Sequence, residues 1–269
     1  MLTWRLRIIP VTGESPSKWC VEMTSRRRHL GKSWLGWWGG LVFFALIAFC
    51  VWSFGRMPVS SREHARRAQC RYNLLFIGLA LSNYASDYGR LPPAYTVDAD
   101  GRPLHSWRTL ILPYLDNQPL YDKIDLSMPW DDPVNQVARE TIIPCYACPL
   151  AANFERSIGS QHGYSSYLAV VSDGSCFQPI ESHAFSEITD RPDQTLLVVE
   201  APPEASVPWM SPEDADKPLI LSLASQIDST HKEGVPALFA DGKVRFVPSS
   251  NPTSRWAAML TINGEEELD

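Results

Sequence analysis

Several things are missing from this sequence, and each absence narrows its interpretation. No internal repeat stands out at a period of about 20–50 residues, which argues against solenoids and propellers. No low-complexity tract is present, so no segment is marked as disordered by composition alone. The G-x-S-x-G elbow that exposes a serine nucleophile on an α/β-hydrolase sheet does not occur. Between Ser33 and Gly55 there is no charged side chain at all.

That uncharged run, residues 33–55, predicts a membrane span. Its center, Leu41 to Trp52, is almost wholly apolar. At ~1.5 Å per residue a helix of this length crosses a ~30 Å hydrocarbon layer with some tilt. Trp34, Trp37 and Trp38 crowd one end and Trp52 the other, as in interfacial aromatic belts. A buried soluble helix is the alternative. A cleavable signal peptide has a shorter apolar region and a small-residue cleavage site, so an uncleaved anchor in membrane lipid is expected. The ten residues before the span carry four Lys/Arg and the ten after it two, which places the N-terminus in the cytoplasm. Residues 1–32 then form a mostly irregular cytoplasmic tail, and residues 56–269 a periplasmic or extracytoplasmic domain behind the inner membrane.

The formal net charge of −6 is unevenly shared: residues 1–55 carry seven Lys/Arg and two Asp/Glu, for +5, leaving −11 on residues 56–269. An acidic domain of this kind is not a nucleic-acid binder. Its basic residues gather beside the span, where Arg62, Arg66 and Arg67 predict a solvated stalk that meets lipid head groups or acidic protein partners. Of six cysteines, Cys70, Cys145, Cys148 and Cys176 fall outside the membrane, where an oxidising compartment allows pairing. Cys145-x2-Cys148 with His162 and Cys176 makes only a ragged zinc set, so a disulfide among Cys145, Cys148 and Cys176, or free thiols, is expected in place of a metal. The pairing is left open.

In chain order, a helix is expected from Ser60 or Ser61 to Tyr88, stopping at Gly89, with an apolar stripe of Cys70, Leu74, Ile77, Leu81, Tyr84 and Tyr88. Asp98 to Pro103 resembles the start of a calcium loop, but Thr109 stands where the bidentate glutamate should, so a turn is expected. Ser106 is placed to cap a short helix that ends before Pro113. Tyr164 onward turns β-rich, with strands over 166–171 and 195–200. Asp241-Gly242 between Ala237–Ala240 and Lys243–Val247 predicts a hairpin with a type I′ turn. Trp107, Trp130 and Trp209 suit core or loop anchors better than a sugar-binding surface.

Arg66-Arg67-x-x-Cys70-x-x-Asn73-Leu74, then Ser106-Trp107-Arg108, Leu112-Pro113-Tyr114-Leu115 and Ile188-Thr189-Asp190 follow one another in order. They are joined by Pro208-Trp209-Met210-x-Pro212-x-Asp214, His231 separated by nine residues from Asp241-Gly242, and Leu260-Thr261-Ile262-Asn263-Gly264. Together these residues resemble the planctomycete domain-of-unknown-function family with a prepilin-processing-associated H-x9-D-G motif, over roughly residues 56–265. The resemblance implies a type IV pilin or pseudopilin-like α+β fold: a long N-terminal helix, half in the membrane, with its outer half on an antiparallel sheet. It also implies a structural or interaction role, self-association or protein partners, and a link to secretion. Family members commonly start with a prepilin leader and a glutamate early in the apolar stretch, whereas this chain has no glutamate between Met23 and Glu63. His231 and Asp241 could be read as a base and its orienter, but the turn already accounts for the aspartate, and His231 suits an anchor for the loop. No catalytic residue, cofactor or metal is expected. The rival readings are a tethered binding module for sugars or peptides, and a tethered hydrolase.

Overall fold

The computed structural model describes residues 7–10, 19–22, 40, 42–49, 59–149, 163–224 and 234–264. The chain divides into two compact units, Met1–Met57 and Pro58–Asp269.

In the first unit, strands β1 (Arg7–Pro10) and β2 (Trp19–Glu22) pair antiparallel, with Arg7 opposite Glu22 and Pro10 opposite Trp19. The expected irregular tail therefore contains a two-stranded ribbon. β-branched Ile8, Ile9 and Val21 favour extended pairing, but over runs too short to show as a sequence period. Residues 42–49 are helical with exposed side chains, and the rest of the 33–55 run, Gly40 apart, lies outside the described residues. Among the described residues no helix is long and apolar enough to cross a membrane.

The second unit is α+β, a mixture of helices and antiparallel sheet. Helix α1 (Val59–Tyr88) is about 45 Å long at ~1.5 Å per residue. It stops where expected: Gly89 takes a left-handed φ of 77° and donates its N–H to Ala85 O at 2.9 Å, a conformation that costs glycine nothing. Cys70, Leu74, Ile77 and Leu81 are buried as the stripe predicts, joined by Asn73 and Ala80. Tyr84 is only half-buried and Tyr88 is exposed, because the stripe runs past the core it covers; the two rings stack on each other with centroids 4.3 Å apart.

Strands β3 (Tyr95–Val97) and β4 (Pro103–Ser106) form a hairpin across the Asp98 turn. Asp98 Oδ1 accepts from the N–H groups of Asp100 and Arg102, so this carboxylate organises the turn. Helix α2 (Trp107–Leu110) follows, with Ser106 at its N-cap accepting from the Arg108 N–H.

Two short strands, β5 (Tyr164–Ser165) and β8 (Val207–Pro208), pair at one side. The main sheet has the order β10 (Val244–Val247), β9 (Val235–Phe239), β7 (Leu196–Glu200), β6 (Tyr167–Ala169), with all neighbours antiparallel. Alternate residues face opposite sides, as the two-residue period of a strand requires. Tyr167, Ala169 and Leu238 join the core beneath α1. Leu168, Leu196, Val199, Ala237 and Phe239 join a second core with helices α3 (Lys217–Leu223) and α4 (Thr253–Ala258), through Ile220, Leu223 and Trp256. A bulge between Leu196 and Val198 turns Leu197 and Val198 to the same side. Burial on both faces explains why every residue of β7 is buried. Gly78 lets α1 lie close on β9, since a Cβ there would come within 2.8 Å of Leu238 Cδ1.

The disulfide joins Cys70 to Cys148, across 78 residues of sequence. The expected grouping of Cys145, Cys148 and Cys176 is thus corrected: Cys148 takes its partner from the helix, while Cys145 and Cys176 are free thiols. Burial pushes both free thiols up to about 12, so they stay protonated at neutral pH. With Cys148 bridged, no Cys145–Cys148 zinc pair exists.

Candidate functional site

Helix α1 presents more than its core row. On the opposite side Tyr72, Phe76 and Leu79 are 56, 55 and 59 % exposed. Their spacing of four and three places them in one stripe. A helix in a closed domain shows polar residues there, so three large apolar side chains in line form an unpartnered face. The pattern was present in the sequence but was masked by the core stripe beside it.

Toward the start of α1 this face meets a cleft of about 370 Å³, lined by His64, Arg67, Ala68, Arg71, Tyr72, Leu75 and Phe246. Arg66 and Arg71 are exposed and Arg67 is half-buried. Arg62 lies in the first turns of the same helix. The three arginines assigned to the stalk are therefore on one helical element whose charged residues from His64 to Ser86 are all basic.

At the far end Tyr84, Tyr88 and Tyr114 gather, with Tyr114 edge-on to Tyr84 at 6.1 Å between centroids. Tyr114 donates its hydroxyl to Asp87 Oδ2 at 2.7 Å. Burial, then the neighbouring Tyr88 and Tyr121, pushes Tyr84 up to about 12. Burial and the Asp87 bond raise Tyr114 as well. Tyr84 and Tyr114 are therefore neutral at physiological pH, with the Asp87 carboxylate beside Tyr114.

The recurring motifs have structural work instead. Arg108 is fully buried, and all five of its N–H donors are used: Nε to Trp209 O, Nη1 to Tyr167 O and Asp214 Oδ1, Nη2 to Ser211 O and Glu213 O. Asp214 Oδ1 also accepts from Trp107 Nε1 and the Ala169 N–H. Burial raises the Asp214 carboxyl, while Arg108 and these hydrogen bonds oppose the rise. Trp107 and Trp209 are thus core anchors, whereas Trp130 is half-buried against the core. Asp190 Oδ2 accepts from the Gly264 N–H at 2.8 Å, which ties the Ile188–Asp190 segment to the late Leu260–Gly264 segment.

The hairpin between β9 and β10 forms, but its turn differs from the one expected. Gly242 has φ 76°, and Asp116 is the one described non-glycine residue with a positive φ, so Asp241 is not left-handed. Gly242 N–H bonds to Phe239 O at 2.9 Å and Phe239 N–H to Lys243 O at 3.0 Å, making a three-residue loop with a glycine bulge. Asp241 instead spends its carboxylate on Arg245, at 2.6 and 3.0 Å, and on the Lys243 N–H. These bonds, led by the one to Arg245, hold its carboxyl below the usual range. The turn borders a cleft of about 280 Å³ that also includes Gly78, Ser82 and Leu238. His231 lies outside the described residues.

Among the described residues one cluster has metal-ligand chemistry: Cys70, Cys148 and Glu200 hold their donor atoms within 4.8 Å of one another. The disulfide occupies both sulfurs, so the two cysteines are a covalent clamp from α1 to the loop that follows residues 144–146, with the buried Glu200 carboxylate beside it.

Residues 59–182 match the model of the family SBP_bac_10, described as protein of unknown function (DUF1559). That match likens residues 59–182 to this family of unknown function. No curated protein and no solved structure matches the chain. The DUF1559 match takes in α1, the β3–β4 hairpin, Arg108, both disulfide cysteines and β6. It stops before Asp214 and the Asp241 hairpin.

Proposed function

We propose that this DUF1559 chain is a membrane-anchored, pilin- or pseudopilin-like structural subunit. In this reading residues 33–55 anchor it in the cytoplasmic membrane with the N-terminus inside, and the Pro58–Asp269 unit stands outside. There it meets copies of itself through α1, in a secretion-related assembly. The single observation that carries the reading is the outward row of Tyr72, Phe76 and Leu79 on a 30-residue helix whose other side is packed on an antiparallel sheet. The helix-on-sheet order, and the resemblance of the ordered sequence motifs to the pilin-like family, support the assignment. A hydrolase is the poorer account, because Asp214 is sealed against Arg108 and Asp241 is engaged by Arg245.

The test is sedimentation velocity of the full chain in mild detergent, comparing the natural sequence with Phe76→Glu. Concentration-dependent association that Phe76→Glu lowers at least tenfold, with an unchanged circular dichroism spectrum, is the expected result. A chain that stays monomeric at every concentration contradicts it.

A further inference from the structure

The two ends of α1 differ in chemistry, and each complements the other. Arg66 and Arg71 are exposed toward one end, and Arg71 lines a cleft with Tyr72 and Phe246. Asp87 and the exposed Tyr88 stand at the other, on the stacked Tyr84. Between Glu63 and Asp87 the helix carries no acidic residue. From Arg66 to Tyr88 is 22 residues, about 33 Å along the axis at ~1.5 Å each. At about 100° per residue the two lie within roughly 40° of each other around the helix. One rigid helix cannot bring its own ends together, so any pairing between them is between copies.

We infer that the copies meet head to tail, the Asp87–Tyr88 end of one α1 docking on the Arg66–Arg71 end of the next. The partner is a second copy of this chain, chosen by charge complementarity, and the inference rests on the self-association proposed above. A guanidinium over a tyrosine face gains from the ring's quadrupole, and the same guanidinium pairs with the adjacent carboxylate. Tyr114 holds one Asp87 oxygen in place, and no hydrogen bond to the other occurs among the described residues. The cleft beside Arg71 receives the Tyr88 ring. Because the two surfaces differ, the contact is heterologous: each copy keeps one unused end, and repetition gives an open series of chains in place of a closed dimer.

A charge swap tests this, by sedimentation velocity of the full chain in detergent. One variant carries Arg66→Glu with Arg71→Glu, a second carries Asp87→Lys, and a third carries all three changes. All three positions are exposed, and circular dichroism checks that each variant keeps its fold. The expected result is association weakened about tenfold or more in each of the first two, and recovery to within about threefold of the natural chain in the third. The inference is overturned if the triple variant associates no better than the double, or if Asp87→Lys associates like the natural chain. Should Phe76→Glu abolish association while both charge variants retain it, the docking face stands and the head-to-tail pairing fails. A natural chain that is monomeric throughout overturns both.

Discussion

Arg108 Nη1 and Asp214 Oδ1 meet at 2.7 Å with their side chains 0 and 3 % exposed, making a buried ion pair between α2 and the segment ahead of α3. Removing one partner leaves a charge in the interior. Asp214→Ala is expected to cost about 3–5 kcal/mol of unfolding free energy in urea titration. Arg108→Lys is expected to cost a large part of that, because an ammonium has three donors for five acceptors set in a planar fork. Near-neutral effects for both would contradict the network.

The bridge between Cys70 and Cys148 closes a loop with a sequence separation of 78 residues. Chain-entropy reasoning puts its contribution at about 4 kcal/mol. Non-reducing peptide mapping should return the Cys70–Cys148 cross-link and alkylatable Cys145 and Cys176. Cys70→Ser should lower stability by several kcal/mol, while Cys145→Ser should change it little. A mapped Cys145–Cys148 link would contradict the assignment.

How much of this was legible in the sequence depended on range. The end of α1 at Gly89, the Ser106 cap and the Asp98 turn are local and were read directly. The Asp241-Gly242 hairpin was legible too, but not its turn type: Arg245 and the Lys243 N–H hold the Asp241 carboxylate, and Ala240 and Asp241 donate their N–H groups to Thr195 O and Pro192 O, outside the hairpin. The partner of Cys148 was not legible, since nothing local links a loop cysteine to a helix so far away in sequence. Arg108 stood out only as part of a motif; its burial depends on acceptors from β6 and from residues 209–214, which meet only in the fold. The outward row was missed because Tyr72, Phe76 and Leu79 share a helix with a stronger core stripe.

Asp241 sets a pH dependence. Its carboxyl lies below its unfolded value of about 3.8, chiefly through Arg245. The stability it contributes is therefore present above that unfolded value and is lost as pH falls through the lower folded one. Asp241→Asn should remove this part of the acid-side slope and leave the slope near neutrality unchanged. Stability measured by urea titration from pH 2 to 7 checks it, and an unaltered acid limb in the variant would contradict the pairing.

The docking face of α1 is tested most directly by placing a benzophenone photo-crosslinking amino acid at Phe76, and separately at Leu79, in the full chain in native-host membranes. Val137, 72 % exposed and outside α1, serves as the control position. The account predicts adducts of twice the chain mass, in the membrane fraction, from positions 76 and 79 and not from 137. Equal yields at all three positions, or no dimer-sized adduct at 76 and 79, would contradict it.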